Sequence, residues 1–280
     1  MPHVDNELIN AGTLENMCGR YALQTDVKVI ASNFNVSQVT LRDSHLADMS
    51  ATTVPVSELS VGAQAANYNV APTHLVPVIV RHDNERILSA FSWGLVPDWA
   101  KDISIGARAI NARVETVTEK PMFRQAIVQR RCLVPADGWF EWEVLANGKK
   151  QPYYFSSAQH ELLAFAGIYE TWRTPEGSLF WSVSVMTMDA WPSIEKIHHR
   201  MPIIVHPNLQ EKWLGPGSAP LQEVVEESQT ATTIDVWPVS VAVGNVRNNS
   251  PELLVEVPPF DSSLPNQTAS QALSSQETLF

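Results

Sequence analysis

Short strand-like runs divided by turn residues predict a strand-dominated α+β fold, a curled sheet or open barrel with peripheral helices, in this 280-residue chain. Two observations carry the prediction. Runs rich in Val, Ile, Phe, Tyr and Trp recur between turn signals, and helical 3–4 spacing of apolar residues is confined to a few places. In chain order, Thr25 to Phe34 has a Thr-Asp start with Val27, Ile30 and Phe34 on one face and reads as a helix. Residues 37–66, rich in Ser, Thr, Ala and Asp, read as a mobile surface loop. Leu75–Val80 and Ile87–Trp93 read as strands. Thr118 to Arg130, with Phe123 and Ile127 spaced for one face, reads as a second helix. Cys132–Pro135, Trp139–Val144, Pro152–Ser156, Leu162–Tyr169 and Phe180–Met188 read as further strands, with Asn147-Gly148 a hairpin signal and Pro175-Glu176-Gly177 another turn. Pro207 to Leu214 is a short helix, and residues 258–280, rich in Ser, Pro and Gln, read as a disordered tail. No internal repeat occurs, and a hydrophobic fraction of 44% suffices for one core, so residues 17–257 are taken as one domain.

Composition removes several function classes. No apolar run reaches membrane-spanning length. Cys18 and Cys132 do not make a disulfide framework, and residues 1–16 lack the basic and apolar regions of a secretory signal, so the expectation is a cytoplasmic, DNA-associated protein with reduced thiols. Cys132, in an apolar strand pattern, reads as core. No Cys/His cluster at metal-ligand spacing, phosphate loop or nucleophile elbow is present, so no metal and no cofactor is expected. The net charge of −11 is unevenly spread: residues 17–150 carry 14 Lys and Arg against 13 Asp and Glu, and residues 151–280 carry 5 against 14. A local basic groove is compatible with that distribution; a broad nucleic-acid-coating surface is not.

The chemistry begins at Met17-Cys18-Gly19-Arg20-Tyr21. A cysteine exposed as an N-terminal residue carries an amine of pKa about 7.7–8.0 and a thiol of pKa about 8.5 on one skeleton. An aldehyde condenses with the amine to an imine, and the thiol closes onto the same carbon to give a thiazolidine. Taken alone, Cys18 fits a small buried residue at the start of a strand better than a nucleophile.

Five downstream segments extend the pattern: Tyr68-Asn69-Val70-Ala71-Pro72-Thr73, Trp93-Gly94-Leu95-Val96-Pro97, Asn111-Ala112-Arg113-Val114-Glu115-Thr116, Asp137-Gly138-Trp139-Phe140-Glu141-Trp142 and Ile197-His198-His199-Arg200-Met201-Pro202. With the Cys-Gly-Arg-Tyr start and the late Val239-to-Val246 segment, this ordered set resembles the SRAP (SOS-response-associated peptidase) family of abasic-site processing proteins, from about Met17 to Pro258. The resemblance implies a protein, expected to be a monomer, that binds single-stranded DNA and crosslinks to an abasic site through an N-terminal cysteine, with associated lyase and self-processing activity. Family members begin Met-Cys, whereas Met1 to Asn16 precede Met17 here. Either translation starts at Met17, which is the expectation, or the extension is removed, because an acylated nitrogen forms no imine.

Thiazolidine formation needs an acid, a base and a device that holds the N-terminus. Strand alternation places Glu141 opposite Phe140 and Trp142, where desolvation raises a carboxyl pKa; an ordinary solvent-facing glutamate is the other reading. His198 and His199 point apart on any regular element, and the resemblance assigns catalysis to His198, a proton shuttle near neutral pH. Asn111 can hydrogen-bond the Cys18 amine or carbonyl. Arg20, Arg113 and Arg200, each two residues from a reactive position, can fork onto phosphates. Pro72, Trp93, Trp139 and Trp142 can wedge or stack bases beside an abasic gap. Thr187 matches a family position near the site. Two rivals stand beside this reading: a cysteine hydrolase with a Cys18–His198 dyad, and a non-catalytic single-strand-binding module.

Overall fold

A computed structural model describes residues 18–41, 46–47, 52–58, 66–215, 221–231 and 233–260. Its strands are β1 (Tyr21–Leu23), β2 (Gln38–Leu41), β3 (Leu46–Ala47), β4 (Thr52–Pro55), β5 (Asn67–Val70), β6 (Leu75–His82), β7 (Glu85–Trp93), β8 (Asn111–Arg113), β9 (Arg131–Ala136), β10 (Gly138–Val144), β11 (Lys150–Ser157), β12 (Leu163–Arg173), β13 (Leu179–Asp189), β14 (Arg200–Pro202) and β15 (Ile234–Pro238). The helices are α1 (Val27–Asn33), α2 (Ala126–Gln129), α3 (Pro207–Leu214) and α4 (Leu221–Ala231).

The strand-dominated architecture expected from the sequence is present, and the curl runs to closure. β13, β12, β9, β6 and β7 pair antiparallel in succession, and a parallel contact of Ser182 with Ser92 and Val183 with Trp93 joins β13 back to β7. Closure leaves no free edge in that ring. A second sheet, in the order β15-β11-β10-β1-β5, lies against the barrel. Its β10 alternates: Trp139 joins the barrel core, stacked on Phe155 at 4.8 Å and edge-on to Phe165, while Phe140 turns to a second apolar cluster with Tyr154, Val239, Val243 and Leu253. Both faces of the sheet are therefore covered, which is why a polar side chain on the barrel side of β10 is buried.

Local chemistry explains the ends. Asp26 caps α1 by accepting from Lys28 N at 2.8 Å, and Val27, Ile30 and Ala31 form its buried face. The Asn147-Gly148 turn joins β10 to β11 with Gly148 at φ +77°, and Gly177 at +93° turns β12 into β13. Gly94, at φ +130°, ends β7; a Cβ there would sit 2.6 Å from Gly106 O, so this crossing admits no side chain.

Several expectations are corrected. Only Ala126–Gln129 of the Thr118–Arg130 helix is α-helical, and irregular turns precede it. Pro121 is the reason, because it lacks an N–H and disfavours helical geometry at Lys120. Phe123 and Ile127 are nevertheless buried. Within 37–66, Gln38–Leu41 is a strand rather than part of a loop, pairing with β7 and β4 around buried Val39. Residues 42–45, 48–51 and 59–65 lie outside the described residues, as does the expected tail from 261 onward. Helix α4 was not anticipated. No helix among the described residues is long and apolar enough to cross a membrane.

Candidate active site

Four segments far apart in sequence meet where the second sheet touches the barrel. β1 pairs with β10 at Tyr21–Trp139, and Arg20 O accepts from Phe140 N at 3.0 Å, so the backbone just before β1 runs beside Glu141. The end of β13 carries β8 on one side, Val185 opposite Asn111, and β14 on the other, Asp189 opposite Arg200. His198 lies two residues before β14.

Cys18, Glu141 and His198 converge. One ligand atom from each lies within 4.8 Å of the other two, Cys18 and Glu141 are buried, and their side chains hydrogen-bond. Asn111 Nδ2 donates to Cys18 O at 2.8 Å, the hold on the Cys18 backbone that the sequence suggested. Burial raises Glu141 to about 8, although the Cys18 hydrogen bond acts the other way. Burial lowers His198, its hydrogen bond to the Arg200 backbone opposes that, and the neighbouring His199 and Arg200 charges add to the lowering. Their 3.6 Å approach is therefore a contact between neutral groups rather than an ion pair, and it exceeds hydrogen-bond length. Burial, and then Glu141, push the Cys18 thiol well up. A thiol poised near neutral pH, expected of a free N-terminal cysteine, is corrected: this one is held protonated and needs a base.

Three buried polar atoms around this cluster lack partners: Asn111 Oδ1, Glu141 Oε1 and Arg200 Nε. Such atoms are costly unless something fills them.

The other candidates divide. Arg113 is exposed and Pro72 is half-buried. Trp142 is half-buried against the second cluster. Thr187 is buried, and its carbonyl accepts from Arg200 Nη2 at 2.8 Å. Trp93 and Trp139 are corrected from base-stacking residues to core: Trp93 is 2% exposed with its indole N–H on Ile110 O, and Trp139 is 1% exposed. Arg200 does not offer a free fork, because Glu115 and Asp189 bind it and leave only Nε. Arg20 is likewise engaged, with Asn69 Oδ1 and the carbonyls of Val243 and Gly244. His198 and His199 do not point apart; on irregular chain after a turn, their rings lie 4.6 Å from centre to centre.

Two contributors were missed. Asn69 is 1% exposed and donates Nδ2 to the carbonyls of Val243, Asn245 and Asn248, tying the late segment to β5; Glu115 neutralises Arg200. Both lie in the motifs quoted above. The Cys18–Glu141–His198 cluster itself was invisible to spacing, because the three come from distant segments.

The SOS response associated peptidase (SRAP) family matches residues 17–246. The abasic site processing protein YoqW of Bacillus subtilis (strain 168) is 35% identical over 241 residues, covering 85% of this chain and 99% of its own. The abasic site processing protein HMCES of Gallus gallus is 32% identical over 248 residues, covering 77% of this chain and 73% of its own. A solved protein of Bacteroides thetaiotaomicron superposes with a TM-score of 0.67 at 25% identity, covering 86% of this chain and 100% of that one. By sequence and fold together, this chain belongs to the SRAP family.

Proposed function

We propose that this chain processes abasic sites in single-stranded DNA by forming a thiazolidine crosslink through Cys18 once that residue is N-terminal. The observation that supports it most is the buried Cys18–Glu141–His198 cluster, in which the acid is protonated and the imidazole neutral at pH 7. The ring-opened sugar aldehyde receives the Cys18 amine to give a carbinolamine. Glu141 donates its proton as the hydroxyl leaves as water, and a protonated imine remains. The Cys18 thiol then adds to the imine carbon, its proton passing to the Glu141 carboxylate, and the ring closes with one water lost overall. His198 relays protons between the sugar hydroxyl and the forming imine. The unpartnered Asn111 Oδ1 and Glu141 Oε1 are acceptors suited to the donors of an α-ammonium group. Arg113 supplies an exposed cation for phosphate, and Pro72 is the remaining base contact, because Trp142 lies on the face of β10 away from Glu141. Where closure is slow, the imine acidifies the adjacent sugar carbon and permits β-elimination, a weak lyase activity. Names of relatives point the same way, since YoqW and HMCES are called abasic site processing proteins.

The hydrolase reading draws on the same proximity of Cys18 and His198, but the thiol's hydrogen bond is to Glu141, an acid rather than a base at pH 7. A denaturing gel after mixing protein with an abasic oligonucleotide tests the proposal. Wild type gives a heat-stable shifted band; Cys18→Ala gives none while retaining reversible binding. A persistent band in that variant would transfer the chemistry to lysine or Cys132 and end the thiazolidine reading.

A further inference from the structure

Cys18, Glu141 and His198 are a thiolate, a carboxylate and an imidazole drawn from three segments, with ligand atoms within 4.8 Å of one another. That donor set suits a borderline-soft divalent cation, which takes sulfur at about 2.3 Å and nitrogen or oxygen at about 2.0–2.2 Å in a tetrahedron. Tetrahedral ligands then stand roughly 3.3–3.6 Å apart by those bond lengths. Glu141 Oε2 and His198 Nδ1 are already 3.6 Å apart, and Nδ1, now in contact with Arg200 O at 3.0 Å and Arg200 N at 3.2 Å, exchanges those backbone contacts for the cation. From separations of up to 4.8 Å, shifts of about 1.2–1.5 Å in flexible side chains close the rest. Glu141 Oε1 is buried and has no partner, an unfilled acceptor within the cluster. Arg200, the nearby cation, has its charge matched by Glu115 and Asp189.

We infer that the Cys18–Glu141–His198 cluster also binds a thiophilic divalent cation of the Zn2+ class, and that this cation competes with the aldehyde. Binding replaces the thiol and carboxyl protons, releasing two protons, and the two negative ligands offset the cation's charge without any redox change. When Cys18 is N-terminal, its α-amine adds a fourth donor and closes a five-membered N,S chelate. The cation thereby occupies both nucleophiles and the acid together. Metal occupancy holds the protein unreactive until the cation is withdrawn. Competition with aldehyde rests on the proposed function; cation binding does not.

The test begins without DNA, on protein whose N-terminal residue is Cys18, with Co2+ as the spectroscopic probe. One equivalent should produce a sulfur-to-cobalt charge-transfer band that Zn2+ abolishes. Cys18→Ala should lose the band, Glu141→Gln should weaken binding about tenfold or more, and Cys132→Ala should keep the wild-type spectrum. Circular dichroism checks that each variant is folded. Saturating Zn2+ should then slow crosslinking to an abasic oligonucleotide by about tenfold or more, with EDTA restoring the rate. Absence of the band in wild type, or its survival in folded Cys18→Ala, overturns the cation site. Unchanged crosslinking under saturating Zn2+ overturns the competition. Failure to crosslink in EDTA rejects the abasic-site reading and leaves the cobalt result standing.

Discussion

Glu141 keeps its proton at pH 7 because the sheet that carries it is covered on both faces. Its folded pKa of about 8 lies above an unfolded value near 4.3, so the folded state binds more protons between those limits. Stability accordingly falls as pH rises through that window, the reverse of a carboxylate whose folded pKa is depressed. Glu141→Gln removes this cost. It should be more stable than wild type at about pH 9, by on the order of a few kcal/mol, with the difference vanishing below about pH 4. The same variant should form crosslinks more slowly at pH 7, and the wild-type rate should decline as pH passes about 8 and the acid is lost. Thermal melts against pH and single-turnover crosslinking measure the two halves. A variant that is neither stabilised at high pH nor slowed would contradict the assignment of Glu141 as the proton donor. Arg113 should behave oppositely: Arg113→Ala weakens binding to single strands and flattens its salt dependence by about 0.7 in the log–log slope, one phosphate's share, while the crosslinking rate at saturating protein holds.

At the scale of elements, the late segment is held by a few polar side chains. Asn69 donates to the carbonyls of Val243, Asn245 and Asn248 and accepts from Arg20, which itself reaches Val243 and Gly244. Asn69→Ala strands the buried Val243 carbonyl, frees the partly buried carbonyls of Asn245 and Asn248 and unseats Arg20, two residues from Cys18, so a loss of about 2 kcal/mol in urea denaturation is expected. A change under about 0.5 kcal/mol would mean that apolar packing of Val243 and Leu253 suffices alone. Legibility followed the range of each interaction. β6, β7, β10, β11 and β13 were readable because their β-rich runs and their turns, such as Asn147-Gly148, are local signals. β1, β5, β8 and β14 are three or four residues long and exist only through partners far along the chain, so no window of sequence reveals them. The Thr118–Arg130 helix is cut to Ala126–Gln129 because Pro121 overrides the apolar spacing of Phe123 and Ile127. Glu141, Asn111 and His198 were found through the motifs of the resemblance, with strand alternation and residue chemistry supporting their roles. The burial of Trp93 and Trp139 was not, since an indole in a strand looks the same from sequence whether it meets a base or a core.

The whole chain poses a chemical requirement at one peptide bond. Residues 1–16 carry three acids and no base, and they precede Met17 in a protein whose proposed reaction consumes the Cys18 amine. With Met17 attached, that nitrogen is an amide whose lone pair is delocalised into the carbonyl, and no rearrangement of the fold makes it nucleophilic. Crosslinked protein should therefore begin at Cys18. Intact-mass analysis of the adduct should lack residues 1–17, whether translation starts at Met17 and the methionine is trimmed or the longer chain is cleaved at Met17–Cys18. A version engineered to keep Met1 through Met17 should bind single-stranded DNA with unchanged affinity and give no heat-stable band, unless mass spectrometry shows that it has cut itself. Recovery of an adduct that still carries Met1 or Pro2, joined to DNA through Cys18, would refute the amine-dependent mechanism and leave the thiol alone as nucleophile. Such an outcome is not expected, because a thiohemiacetal formed without the amine is reversible and would not survive denaturation.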